Sequence, residues 1–117
     1  MLEKVKEEII KFNQDRDWDQ FHSPEILAKS IAIESGELLE CFQWDNSFNQ
    51  EDVCDELGDV VNYCILMADK LDVDLEGIVL KKLKKSEKSI QSVKLREIVK
   101  NIINYRFCLW NYYKLYK

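Results

Sequence analysis

Two pairs of acidic residues carry the strongest chemical signal in this sequence. Glu34-Ser35-Gly36-Glu37 and Glu56-Leu57-Gly58-Asp59 both read acid-x-Gly-acid. At about 100° per residue, acids three apart lie on nearly one face of a helix. With Ile31 as the zero of its helix, Glu34 falls at about −60° and Glu37 at about −120°. With Val60 as zero, Glu56 falls at about −40°, Tyr63 at about −60° and Asp59 at about −100°. Each pair sits on the same rotational shoulder of its own apolar stripe, so helices packed through those stripes bring four carboxylates together. Such a group cannot stay fully ionised without a cation. Oxygen donors suit Mg²⁺, with Mn²⁺ as the alternative. A single pair of this kind is more often a solvated helix face; two pairs matched in flank on consecutive helices are not so readily explained. Glu40, Asp45 and Glu51 lie off this side.

Composition removes competing chemistries. The 117 residues contain three glycines and one proline, which excludes a Gly-rich phosphate loop, a dinucleotide fingerprint and a turn-dense β sandwich. His22 is the one histidine, so a multi-histidine zinc site and the Glu-x-x-His pairs of di-iron bundles are excluded within one chain. Cys41, Cys54, Cys64 and Cys108 have no C-x-x-C spacing and read as reduced thiols of a cytoplasmic protein. No secretory leader or membrane-length apolar run is visible. The net charge of −5 is unevenly spread. Residues 1–92 carry 11 Lys/Arg against 21 Asp/Glu, a net of −10, and residues 93–117 carry 6 against 1, a net of +5. An acidic body repels nucleic acid.

The elements that must position the acids are helical. Leu2, Val5, Ile9 and Phe12 mark the face of a first helix. Asp15–His22 is a polar loop with two aromatics, and Ser23-Pro24-Glu25 reads as cap, first-turn proline and first-turn acid. The second helix is expected to run to Phe42 or Gln43, and Trp44–Asn49 to connect it to a third beginning near Gln50. There Val53, Leu57, Val60, Cys64, Met67 and Leu71 form a packing seam. Asp74 caps a fourth helix through about Ser89. Ser92 caps a fifth, carrying Leu95, Ile98, Ile102, Tyr105, Leu109, Tyr112 and Tyr116 at heptad spacing. The expectation is an all-α four-helix bundle over residues 1–92. An additional basic, aromatic C-terminal helix over 93–117 packs on it or on a subunit interface. So small a unit leaves its seams half exposed, and oligomerisation is expected to complete the core.

At this point the residues carry a resemblance. Glu34-x-x-Glu37 followed by Glu56-x-x-Asp59 resembles the metal signature of the MazG-like all-α nucleoside triphosphate pyrophosphohydrolases. Arg16-Asp17-Trp18-Asp19-Gln20-Phe21-His22-Ser23-Pro24, Phe42-Gln43-Trp44, Asp59-Val60-Val61-Asn62-Tyr63 and Val73-Asp74-Leu75 are similar to segments of its dCTP pyrophosphatase branch. The resemblance covers residues 4–90 and implies cleavage between the α and β phosphates of a nucleotide. Carried over by position, it gives Glu34, Glu37, Glu56 and Asp59 as Mg²⁺ ligands and Tyr63 under the sugar; Glu34 and Glu37 are the expected catalytic residues, with Glu37 as the base because its position lies further from the packed seam. Trp18, Trp44 and His22 border the base, and Lys82 binds phosphate. It also implies a homodimer or homotetramer. The chain departs from the pattern at Ser86, where relatives often have asparagine, and at Ser89-Ile90-Gln91, where they commonly have basic-aromatic-proline. That divergence keeps a second class open: a non-catalytic helical interaction module retaining the bundle.

Overall fold

The computed structural model describes residues 2–44, 47–89, 97–104, 106 and 110. All of the regular structure among them is helical: α1 (Glu3–Gln14), a short 3₁₀ turn (Trp18–Phe21), α2 (Pro24–Glu40), α3 (Gln50–Lys70) and α4 (Leu75–Ser89). Residues 97–104 are helical as well. Ser92, Leu95, Tyr105, Leu109, Tyr112 and Tyr116 of the expected fifth helix lie outside the described residues, as do Asp45, Ile90, Gln91 and Cys108. The chain divides into a unit of Met1–Ile78 and a unit of Val79–Lys117.

Local chemistry sets the helix ends. Ser23 lies in extended conformation, and its hydroxyl accepts from the Ile26 N–H at 3.2 Å, with Pro24 opening α2. Asn49 caps α3 by accepting from the N–H groups of Glu51 (2.9 Å) and Asp52 (3.3 Å). The α3 C-terminus needs a left-handed residue, and Asp72 supplies it at φ 52°. The Val73 N–H then reaches back to the Ala68 carbonyl at 3.0 Å. Asp74 caps α4 by accepting from Gly77 N–H at 3.1 Å. A Cβ at position 77 would lie 2.5 Å from that carboxylate, which would have to turn to make room.

The second helix stops at Glu40, short of the expected Phe42 or Gln43. The N–H groups of Cys41, Phe42 and Gln43 turn to carbonyls three residues back, tightening the chain out of the α-helix. Phe42 instead meets Phe48 at 5.0 Å between ring centroids, closing the connection to α3.

In the first unit, α2 packs along α3, and α1 packs on α3 as well. Lys6 reaches Asp69 at 3.9 Å and Lys70 reaches Asp19 at 3.7 Å, tying both the start of α1 and the 3₁₀ turn to the end of α3. The expected α3 seam is only partly realised: Leu57 and Leu71 are exposed, and Val53, Val60, Cys64 and Met67 are half-buried. Full burial falls instead on Ile65, Leu66 and Ala68 in the second half of α3, where Ile65 and Ala68 share a hollow with Leu2, Glu3 and Lys6 at the start of α1. Leu27 joins them as the buried anchor of α2. Ile26, Ile33, Leu39, Leu57 and Val61 remain exposed on α2 and α3.

In the second unit, Lys81, Lys82, Lys84, Lys85 and Lys88 of α4 are all exposed. Ile98, Ile102 and Ile103 are exposed too.

Candidate metal centre

The pairing of α2 with α3 places Glu34 against the first half of α3. One carboxylate oxygen each from Glu34, Glu56 and Asp59 lies within 4.8 Å of the others. Glu34 and Glu56 are half-buried and Asp59 is exposed, so the trio forms a floor of two sheltered acids with one at its mouth. Glu37 stands alongside, its carboxyl within hydrogen-bond reach of both Glu34 and Glu56. Three of the four expected ligands therefore converge, and the fourth flanks them.

Two further observations show what this cluster lacks. The Oε2 atoms of Glu34 and Glu56 are buried and have no hydrogen-bond partner. Buried polar atoms are nearly always satisfied, so two orphaned acceptors on acids of one cluster mark a place for a positive group. The acids also resist ionisation. Burial first, then the neighbouring carboxyls of Glu37, Asp59 and Glu56, pushes Glu34 above its ordinary value. Burial, and then Glu37 and Asp59, does the same to Glu56. The donor set is all oxygen, partly sheltered and over-rich in negative charge, and it fits Mg²⁺ or Mn²⁺.

A pH dependence follows. Glu34 and Glu56 hold protons to higher pH in the fold than in the unfolded chain, whose ordinary value is 4.5. Their contribution to stability is complete below 4.5 and is lost as pH rises through the raised folded values. In EDTA, the melting temperature is expected to gain more from acidification across that window in the native chain than in an E34Q/E56Q variant, which cannot titrate there. Parallel pH profiles for the two proteins would remove the electrostatic account of the cluster.

The other expected site residues are distributed less closely. Tyr63 is half-buried on α3, four residues beyond Asp59. His22 is half-buried, with a buried Nδ1 that has no hydrogen-bond partner. Trp18 stands edge-on to Phe12 at 5.7 Å. Trp44 is 87% exposed, and no ring or ion contact among the described residues holds it against the cluster. Lys82 belongs to the second unit. Gly36 and Gly58 border open space, since a Cβ at either would meet nothing within 4 Å.

The sequence reading missed Arg16. Its guanidinium lies over the Phe12 ring at 3.5 Å and near the Trp18 ring at 5.9 Å, and it donates to the Phe12 carbonyl at 2.9 Å. The i, i+4 spacing of Phe12 and Arg16 was the available signal. Phe12 and Arg16 border a groove between α1 and α3, whose lining also includes Ile9, Asp59 and Asn62.

Residues 29–103 match the MazG-like family, a span that contains all four acids. The chain is 34% identical over 92 residues to dCTP pyrophosphatase 1 of Homo sapiens, covering 70% of this chain and 54% of that protein. It is 33% identical over 92 residues to dCTP pyrophosphatase 1 of Rattus norvegicus, with the same coverage. The chain thus spans about half the length of the curated relatives it matches. Among solved structures, a pyrophosphatase from Archaeoglobus fulgidus DSM 4304 superposes with a TM-score of 0.71 at 31% identity, covering 78% of this chain and 93% of that one. With well over half of its length matched, an all-helical fold shared with that pyrophosphatase and the acid pairs within the matched span, the chain belongs to the MazG-like family.

Proposed function

We propose that this protein is a nucleoside triphosphate pyrophosphohydrolase, which hydrolyses a nucleotide between its α and β phosphates to the monophosphate and pyrophosphate. The observation that carries this reading is the convergence of Glu34, Glu56 and Asp59 oxygens within 4.8 Å. The relatives named dCTP pyrophosphatase 1 support a deoxynucleotide substrate, with cytidine or modified bases favoured.

Glu34, Glu56 and Asp59 hold the cation in this account. When bound, Mg²⁺ supplies neutralisation of the phosphate charge and orientation of a water for in-line attack. Glu37, beside the trio and outside its point of convergence, accepts that water's proton at a carboxylate oxygen. The new bond joins the water oxygen to the α phosphorus, the α–β bridge breaks, and pyrophosphate leaves. Trp18, His22 and Trp44 border the base, Tyr63 packs under the sugar and Lys82 binds phosphate. The free thiols of Cys41, Cys54 and Cys64 support a cytoplasmic location. No helix among the described residues is long and apolar enough to cross a membrane.

A panel of ribo- and deoxynucleoside triphosphates with Mg²⁺, read by pyrophosphate release, tests the reading. Turnover led by dCTP or a modified relative is expected. A complete lack of turnover across the panel would leave the chain a helical interaction module instead. Within the panel, Tyr63→Ala is expected to narrow the preference for deoxy over ribo substrates several-fold, since the ring occupies the space a 2′-hydroxyl needs. An unchanged ratio would take that role from Tyr63.

A further inference from the structure

We infer that Arg16 is a positioning residue that fixes the Trp18 ring as a stacking platform for the nucleobase, an assignment that rests on the function proposed above. The arrangement is built from the end of α1. Arg16 comes one turn after Phe12, and its guanidinium lies over the Phe12 ring at 3.5 Å while donating to the Phe12 carbonyl at 2.9 Å. Asp17 then takes left-handed backbone, φ 55° and ψ 24°, which a non-glycine residue adopts only at a cost. That reversal brings Trp18 back onto Phe12, edge-on at 5.7 Å between ring centroids, with the guanidinium 5.9 Å from the Trp18 ring as well. The Gln20 amide donates to the Asp17 carbonyl at 2.9 Å, and Lys70 of α3 reaches Asp19 at 3.7 Å. The turn that carries Trp18 is therefore pinned both within itself and to α3.

These contacts do little for the core. Trp18 is 47% exposed, and Arg16 is exposed as well. Asp15, next to Arg16 in the chain, is paired to Lys11 at 2.6 Å, and the guanidinium lies on the aromatic rings rather than on that carboxylate. A large ring held in place yet left open is what stacking on a planar base requires, because the ring is ordered before the ligand arrives. Its location fits the same use. Phe12 and Arg16 line the groove between α1 and α3, of about 580 Å³, and Asp59 lines that groove and belongs to the carboxylate trio as well. A nucleotide with its phosphates at the trio and its nucleoside in the groove meets the wall of Phe12 and Arg16 beside which Trp18 stands. The planar guanidinium suits the task, since it stacks on a ring and keeps N–H groups in its plane for the carbonyl.

The test uses the full chain labelled with 5-fluorotryptophan, in which the ¹⁹F resonance of Trp18 is assigned by its loss in Trp18→Phe. In the native chain, a non-hydrolysable dCTP analogue with Mg²⁺ is expected to shift that resonance. Arg16→Met and Arg16→Lys are both expected to move it toward the position of the free amino acid before any ligand is added. Both are also expected to raise KM for dCTP by about two- to fivefold, the scale of an exposed cation–π contact, with kcat unchanged because a base contact is alike in ground and transition states. Lysine keeps the charge and loses the plane, so it gives no rescue. Native KM in Arg16→Met, whether or not the resonance moves, would overturn the assignment and leave the proposed function standing. Full rescue by lysine would overturn it too, since Arg16 would then act as a charge and not as a brace. A native chain inert toward nucleotides would overturn the proposed function and this assignment together.

Discussion

Replacing Glu56 with glutamine is expected to lower nucleotide hydrolysis by about a thousandfold, which corresponds to roughly 4 kcal/mol of transition-state stabilisation. The same change is expected to raise the melting temperature of the metal-free protein. Both effects have one origin. Glu56 has a buried, unpartnered Oε2 and lies against Glu37 and Asp59, so its charge is unwelcome until a cation arrives. Glutamine keeps the shape, removes the charge and weakens the cation site. Steady-state rates at saturating Mg²⁺, paired with melting curves in EDTA, check the prediction. A fully active E56Q protein would remove the metal centre. An inactive variant that melts lower in EDTA would mean that Glu56 stabilises the bundle by some other contact.

The second large effect concerns assembly. Among the described residues, the buried hydrophobics are Leu27, Ile65, Leu66 and Ala68, while Ile33 is 61% exposed, Leu57 50% and Val61 39%. Small units bury too little of their surface to be robust alone, and contiguous exposed apolar patches usually belong to interfaces. A second copy of the chain is the proposed cover. Glutamate at both Leu57 and Val61, one turn apart on α3, is expected to shift the sedimenting species from dimer or larger to monomer and to lower the melting temperature by several degrees. An unchanged assembly would place the interface elsewhere, and a native chain that is monomeric and stable at micromolar concentration would refute self-association.

Local signals in the sequence were enough to find the acids and the helices that carry them. Ser23-Pro24 marks the start of α2 because its cap and missing N–H are purely local chemistry, and the i, i+3 spacing of the acids is a property of any helix. Facts that depend on two elements were not legible. Ile65, Leu66 and Ala68 are buried where α3 meets its neighbouring helices, and α3's own 4-3 spacing pointed to the flank that stays half exposed. The groove beside Asp59 exists only where α1 passes α3, so its lining could not be read from either helix alone; the i, i+4 spacing of Phe12 and Arg16 signals their ring contact but not the groove they border. The end of α2 was overrun by two to three residues, since Phe42 fits the helical pattern but finds Phe48 instead. Trp44 and Lys82 took their expected roles from resemblance alone. One is 87% exposed and the other lies in the second unit.

Hydrolysis of dCTP in ¹⁸O-labelled water, with and without Mg²⁺, tests the central claim most directly. The account predicts that monophosphate and pyrophosphate appear in equal amounts only with the cation, and that the label is found in the monophosphate. Labelled pyrophosphate, a diphosphate product with inorganic phosphate, or cleavage that persists in EDTA would contradict it.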